Sequence, residues 1–168
     1  MKTLYIVRHA KSSWDNPELS DFDRPLNGRG KRDAPEMGKR LKLRGIKPKI
    51  IISSPAKRAF TTAKKIASEI DFSLKSIITD KRLYHAGYAQ ICNVINEVDA
   101  EDSLMIFGHN PGFTDFVNRI CNARIDNLPT CGIVSVNFEM EDWSRIQTTT
   151  GNFVFFDYPK NISGTTYQ

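Results

Sequence analysis

The chain of 168 residues is 40% hydrophobic and 26% charged, which suits one globular domain over 1–168 with a sizeable core and excludes two ordinary ones. No apolar run approaches the roughly 18 residues that cross a bilayer, and the first one, broken by Arg8 and His9, is unlike a secretory leader, so a cytoplasmic protein with no membrane partner is expected. The net charge of +5 is uneven, with 17 Lys/Arg against 6 Asp/Glu in residues 1–68 and 7 against 13 in residues 69–168.

The segment TLYIVRH (3–9) reads as a buried strand, rich in β-branched and aromatic residues. A polar loop follows, and a helix is expected from about Asn27 to Arg44, stopped by Gly45. Pro35 fits that helix only in its first turn, which would move the start toward Asp33. KIIISS (49–54) is a second buried strand. Pro55 suits the first position of a helix over about 55–69. SIITDKRLY (76–84) reads as a shorter third strand, 88–98 as a helix, SLMIFGH (103–109) as a fourth strand and PGFTDFVNRIC (111–121) as a helix. GIVSVNFEM and RIQTTTGNFVFF form a final pair of strands joined by a turn at EDWS, and KNISGTTYQ (160–168) reads as an unpaired tail. Strands alternating with helices predict a three-layer α/β fold: a mostly parallel central sheet with helices on both faces and an antiparallel edge strand near the C-terminus. Cys92, Cys121 and Cys131 make no C-x-x-C pair and are expected as reduced thiols in or near the core.

In such sheets ligands bind at the carboxyl ends of the strands. The first strand delivers Arg8 and His9 there, the second delivers Ser53 and Ser54 with Arg58 one turn into the next helix, and the fourth delivers His109, Asn110 and Pro111. Any one of these is ordinary, since a lone His or a helical Arg is most often structural. Two Arg and two His at one sheet edge are a different matter. Guanidinium forks match phosphate geometry, and helix N-termini near 55 and 111 would add free N–H groups. The basic stretch 28–49, GRGKRDAPEMGKRLKLRGIKPK, lacks interleaved aromatics, so it reads as a solvated helix face beside an anion site in preference to a nucleic-acid patch.

Four segments carry a family resemblance. RHAKSSWD, PLNGRGKRDA, SSPAKRAFTTA and FGHNP resemble, in order, the motifs of the histidine phosphatase superfamily, which includes the cofactor-dependent phosphoglycerate mutases. The RHAKSSW opening and the lack of large insertions look most like its small SixA-type phosphohistidine phosphatase branch. The resemblance implies that His9 is the nucleophile of a phosphohistidine intermediate and that Arg8, Arg58 and His109 complete a phosphate pocket, with Ser12 and Asn110 as further substrate-binding candidates. Asn110 has the alternative of capping the helix at Pro111. No metal and no cofactor are expected, because no carboxylate cluster suits Mg²⁺.

Two positions depart from the family pattern. Ala10 stands where the motif has Gly, so an ordinary φ is expected there. The Glu that mutases and broad phosphatases carry as proton donor has no counterpart in KRLYHAGYAQ, where His85 is the aligned residue. Alkoxides need an acid to leave, whereas imidazole leaves readily near neutral pH. The expected activity is therefore a metal-independent phosphatase acting on protein phosphohistidine or another phosphoramidate. Its partner would be a phosphorylated protein or a small phosphate compound. One alternative is a small-molecule phosphomonoesterase with His85 as acid. Another is a low-turnover phosphoprotein- or nucleic-acid-binding module.

Overall fold

The computed structural model describes residues 1–162. In chain order the elements are β1 (Lys2–Arg8), α1 (Gly28–Leu43), β2 (Ile50–Ser53), α2 (Lys57–Glu69), β3 (Ile78–Thr79), α3 (Tyr88–Asn96), β4 (Ser103–Gly108), α4 (Gly112–Ile120), β5 (Ile133–Phe138) and β6 (Asn152–Asp157). The strands form one sheet in the order β3-β2-β4-β1-β5-β6. β1, β2, β3 and β4 are mutually parallel, while β5 runs against both β1 and β6. This is the expected mostly parallel sheet, with its antiparallel pair at the C-terminal edge.

Alternation along the central strands builds two cores. Leu4, Ile6, Leu104 and Ile106 point to one face, where Ile91 and Ile95 of α3 and Phe113 and Phe116 of α4 cover them. Val7, Met105, Phe107 and Ile51 point to the other, against Met37 and Leu41 of α1 and Ala63 and Ile66 of α2. Every one of these is buried. The three buried thiols, Cys92, Cys121 and Cys131, lie within these cores.

Several elements differ from their sequence-based expectation. α1 runs through Pro35 despite the lost hydrogen bond, held by Ala34, Met37 and Leu41 in the core and by Gly38, where a Cβ would lie 2.7 Å from that of Glu69. α2 begins at Lys57, with Ser54 Oγ accepting from the Ala56 N–H ahead of it. The third strand shrinks to two exposed residues: it is the sheet edge, Asp80 accepts from the Arg82 N–H to start a 3-10 turn, and short edges resist further pairing. The turn expected at EDWS is a longer connection in which Trp143 is fully buried and donates to the Glu101 carbonyl at 2.8 Å.

The tail's first residues are anchored. Arg40 Nη1 donates to the carbonyls of Tyr158 and Asn161 at 3.0 and 3.1 Å and to Asp157 Oδ1 at 3.3 Å, and its Nη2 to the Pro159 carbonyl at 2.9 Å. The rest of the expected tail, 163–168, lies outside the described residues. Arg40 thus staples α1 to the chain after β6, with buried Asp157 depending on it. Arg40→Ala is expected to cost about 1–3 kcal/mol of stability, the penalty of leaving a buried charge and carbonyls under-satisfied. Urea unfolding followed by circular dichroism measures it. A change within about 0.5 kcal/mol, the usual effect of a surface substitution, would contradict the staple.

Candidate active site

The parallel registers bring three strand exits level. Arg8 pairs with Gly108 and Ser53 with Phe107, and the pairing continues one residue past each strand: His9 N–H donates to the Gly108 carbonyl at 3.0 Å and Ser54 N–H to the Phe107 carbonyl at 2.9 Å. His9, His109 and Ser54 therefore leave the sheet side by side. The rings of His9 and His109 lie 5.1 Å apart, and His109 Nε2 is 2.8 Å from Ser54 Oγ. The chain after His9 is fixed from beneath. Ala10 N–H donates to Thr62 Oγ1, Ala10 has no positive φ, and Gly30 lets α1 start against the Lys11 carbonyl, which a Cβ would approach to 2.2 Å.

The imidazole of His9 is held in one tautomer. Its Nδ1 lies 2.7 Å from the Ala10 carbonyl; a carbonyl only accepts, so Nδ1 carries the proton and Nε2 keeps its lone pair. Burial, with the charges of Arg58, Arg8 and Arg24, outweighs that bond and lowers the pKa of His9 to about 3. His109 is lowered too, mainly by burial and then by His9 and Arg58. Both rings are neutral at pH 7.

The cations around them are under-satisfied. Arg8 spends Nη1 on the Leu128 carbonyl at 3.0 Å, while its Nε, the Nε of Arg58 and Nδ1 of His109 are buried without a hydrogen-bond partner. Buried polar atoms without partners are rare in finished structures, and two guanidinium N–H groups with a ring nitrogen beside one neutral imidazole suit a multi-oxygen anion. Burial and the neighbouring Arg58 lower the pKa of Arg8, a repulsion that such an anion would relieve.

Asp21 is the residue passed over in the sequence. It opens a 3-10 turn, Asp21–Asp23, in the β1–α1 connection. Its carbonyl and Oδ2 accept from Arg58 at 2.6 and 3.0 Å, its Oδ1 from Arg24 at 3.0 Å, and its Oδ2 also from the Tyr84 hydroxyl at 2.6 Å. Burial pushes its pKa up, but hydrogen bonds from Tyr84, Arg24 and Arg58 outweigh that and hold it well below the carboxylate range. Arg24 also donates to Ser12 Oγ and lies 3.6 Å from the centre of the Trp14 ring, which is otherwise exposed. The one sequence signal was the Asp21–Arg24 spacing of three in a loop; nothing local pointed to Arg58 or Tyr84.

The sequence candidates divide accordingly. Arg8, His9, Arg58 and His109 come together. His85 sits at the rim, largely exposed and with positive φ, its ring 6.1 Å from that of His109 and its Nε2 3.4 Å from Asp21 Oδ2. Ser12 is buried with its hydroxyl on Arg24. Asn110 is fully committed: Nδ2 donates to Asn127 Oδ1 and the Leu128 carbonyl, and Oδ1 accepts from the N–H and hydroxyl of Thr114. Its side chain serves as a cap and loop tie, with no side-chain N–H left for phosphate. A cleft of about 380 Å³ opens beside His85 and His109. A larger groove of about 700 Å³, between residues 122–127 and Phe153, Phe156 and Tyr158, contains none of these groups. Among the described residues no cluster of three His, Cys, Asp or Glu could hold a metal ion, and no helix is long and apolar enough to cross a membrane.

Residues 4–110 match the histidine phosphatase superfamily (branch 1). The chain is 28% identical to an uncharacterised chloroplastic protein of Arabidopsis thaliana, over 89% of this chain and 72% of that one. It is 29% identical to a 2,3-bisphosphoglycerate-dependent phosphoglycerate mutase of Thermoplasma acidophilum, over 88% of this chain and 62% of the mutase, so it spans only part of that relative's length. Two solved structures share its fold. The Agrobacterium tumefaciens protein assigned as phosphohistidine phosphatase SixA superposes with a TM-score of 0.79 at 24% identity, covering 94% of this chain and 98% of its own. The protein histidine phosphatase SixA complexed with tungstate superposes with 0.77 at 23%, covering 95% and 99%.

Proposed function

Because the chain belongs to the histidine phosphatase superfamily (branch 1), we propose that it is a metal-independent phosphatase whose His9 accepts the phosphoryl group, with protein phosphohistidine or another phosphoramidate as substrate. The observation that carries this reading is the pinned tautomer of His9, Nδ1–H on the Ala10 carbonyl and Nε2 free to attack, amid the buried, unpartnered nitrogens of Arg8, Arg58 and His109.

Nε2 attacks phosphorus and the bond to the leaving nitrogen breaks. Arg8, Arg58 and His109 offset the charge on the phosphoryl oxygens, a task for positioned donors and not for covalent chemistry. Water then attacks phospho-His9, returning neutral imidazole and inorganic phosphate. The carboxyl bonded to Arg58, Asp21, is held ionised by Tyr84, Arg24 and Arg58 and so has no proton for an alkoxide. That favours leaving groups that need none. One domain with no cap over the pocket among the described residues would admit a phosphohistidine carried on a folded protein, and a cytoplasmic location belongs to the same proposal.

A phosphomonoesterase is the second reading. It rests on His85, whose imidazole at the rim is suited to protonating a leaving oxygen. The two separate in one experiment. Purified protein in EDTA is given a phosphohistidine peptide, phosphoramidate, p-nitrophenyl phosphate and a sugar phosphate. The P–N substrates should exceed the esters in kcat/KM by about tenfold or more, the scale of a missing general acid. Equal or greater turnover of sugar phosphate would replace this reading with the second. No turnover, with salt-sensitive retention on nucleic acid, would replace both with a binding module.

A further inference from the structure

The geometry points to Asp21, Tyr84 and His85 as a leaving-group subsite built for a protonated imidazole ring; we propose it as the feature that selects phosphohistidine at this site, and it rests on the phosphatase reading above. Asp21 Oδ2 lies between the phosphoryl pocket and the rim, bonded on one side to Arg58 and on the other to the Tyr84 hydroxyl, with His85 Nε2 at 3.4 Å. The carboxylate side chain is 40% exposed, so a ligand can still reach it.

The surroundings are flat and aromatic. The Tyr84 ring stands edge-on to His109 at 5.5 Å, lies 4.0 Å from the His85 ring and meets the partly exposed Phe22 edge-on at 5.2 Å. A small planar ring leaving phosphorus near His109 would exit along these faces. The carboxylate supplies the charge partner. A phosphoryl group arriving on Arg58 competes with Asp21 for the same guanidinium, and an N–H⁺ from the substrate replaces the partner Asp21 loses. An alkoxide forming in the same place would meet a fixed anion instead.

The step balances without an external acid. The substrate ring is phosphorylated on one nitrogen and protonated on the other, and that second N–H donates to Asp21 Oδ2. His9 Nε2 forms its bond to phosphorus as the P–N bond breaks. The bonding pair returns to the leaving nitrogen, the far proton stays where it is, and the ring departs as neutral imidazole.

Two measurements test this. The first compares Asp21→Asn, Asp21→Glu and the unaltered protein on a phosphohistidine peptide and p-nitrophenyl phosphate. Asn should lower the ratio of the two kcat/KM values by about 10–100-fold, between the values for a close charge pair in water and at an effective dielectric near that of a protein surface, and Glu should recover part of it. If Asp21 only positions Arg24 and Arg58, both substrates fall together and the ratio stays fixed, which overturns the proposal. The second titrates imidazole, at pH 6, into protein saturated with inorganic phosphate. Binding should be about tenfold weaker in Asp21→Asn, and equal binding overturns the subsite. This second result does not depend on turnover. A protein that binds imidazole through Asp21 yet hydrolyses no P–N substrate would keep the subsite and discard the phosphatase reading.

Discussion

Replacing His9 with alanine is expected to lower kcat/KM on every substrate by about four orders of magnitude or more, the scale seen when a covalent nucleophile is removed. Rapid quench with labelled substrate should trap an acid-labile, base-stable phosphoryl group on the unaltered protein and none on the variant. With Nδ1–H on the Ala10 carbonyl, His9 presents Nε2 to the phosphoryl pocket, whereas Nε2 of His109 is on Ser54, leaving only its Nδ1 unengaged, and His85 is at the rim; a variant at His9 therefore separates the two buried rings as nucleophiles. The pH dependence has a definite sign. Burial first, then Arg58, Arg8 and Arg24, lower His9 to about 3, so turnover should show no loss near pH 6.5 from protonation of the nucleophile. Stability should behave differently. The unfolded chain takes up this proton near 6.5 and the folded one only near 3, so stability falls as pH drops through that window. Wild-type turnover by His9→Ala would end the covalent mechanism.

Much of this geometry was legible because strand exits are local features. Apolar runs at 3–7, 50–52 and 104–107 mark three central strands, and the residues that follow them, His9, Ser54 and His109, share an edge once those strands are parallel. What the sequence did not carry is contact across distance. Asp21 meets Arg58 across 37 residues and Tyr84 across 63, from an irregular loop with no periodicity to read. Asn110 shows the converse. Its identity suits phosphate or a helix cap equally well, and only the positions of Asn127, Leu128 and Thr114 decide. Local rules also lost to packing at Pro35, where a helix breaker sits within α1 between buried Ala34 and Met37, and at Trp143, a core residue within an expected turn.

The uneven charge has a physical counterpart at the site. Arg8, Arg24 and Arg58 all come from the basic first part of the chain, and Asp21 is the carboxylate that holds two of them in place before substrate arrives. Guanidinium groups crowded at one sheet edge repel one another, and at Arg8 the charge of Arg58 adds to burial in lowering the pKa. A carboxylate among them lets the pocket exist unliganded, and a phosphoryl group with more oxygens and more charge can still displace it.

That arrangement makes Arg58 the second large expectation. Arg58→Ala should reduce kcat/KM on phosphohistidine by about 10²–10³-fold, as for other single donors aimed at developing charge, and should weaken binding of tungstate or inorganic phosphate in parallel. Arg58→Lys should recover little. The native side chain reaches the Asp21 carbonyl and carboxylate with two nitrogens of one planar fork while a third, Nε, stays buried and unpartnered, and an ammonium is a point charge without that geometry. The fold should survive both changes, because Asp21 keeps Arg24 and Tyr84 and the Arg58 carbonyl keeps its bond from Thr62; circular dichroism checks this. Since the guanidinium holds Asp21 as well as phosphate, the alanine variant should also narrow the preference for P–N over P–O substrates, whereas loss of a simple phosphate clamp would lower both alike. An Arg58→Lys enzyme with full turnover would mean that charge alone suffices here and that the fork has no part in the reaction.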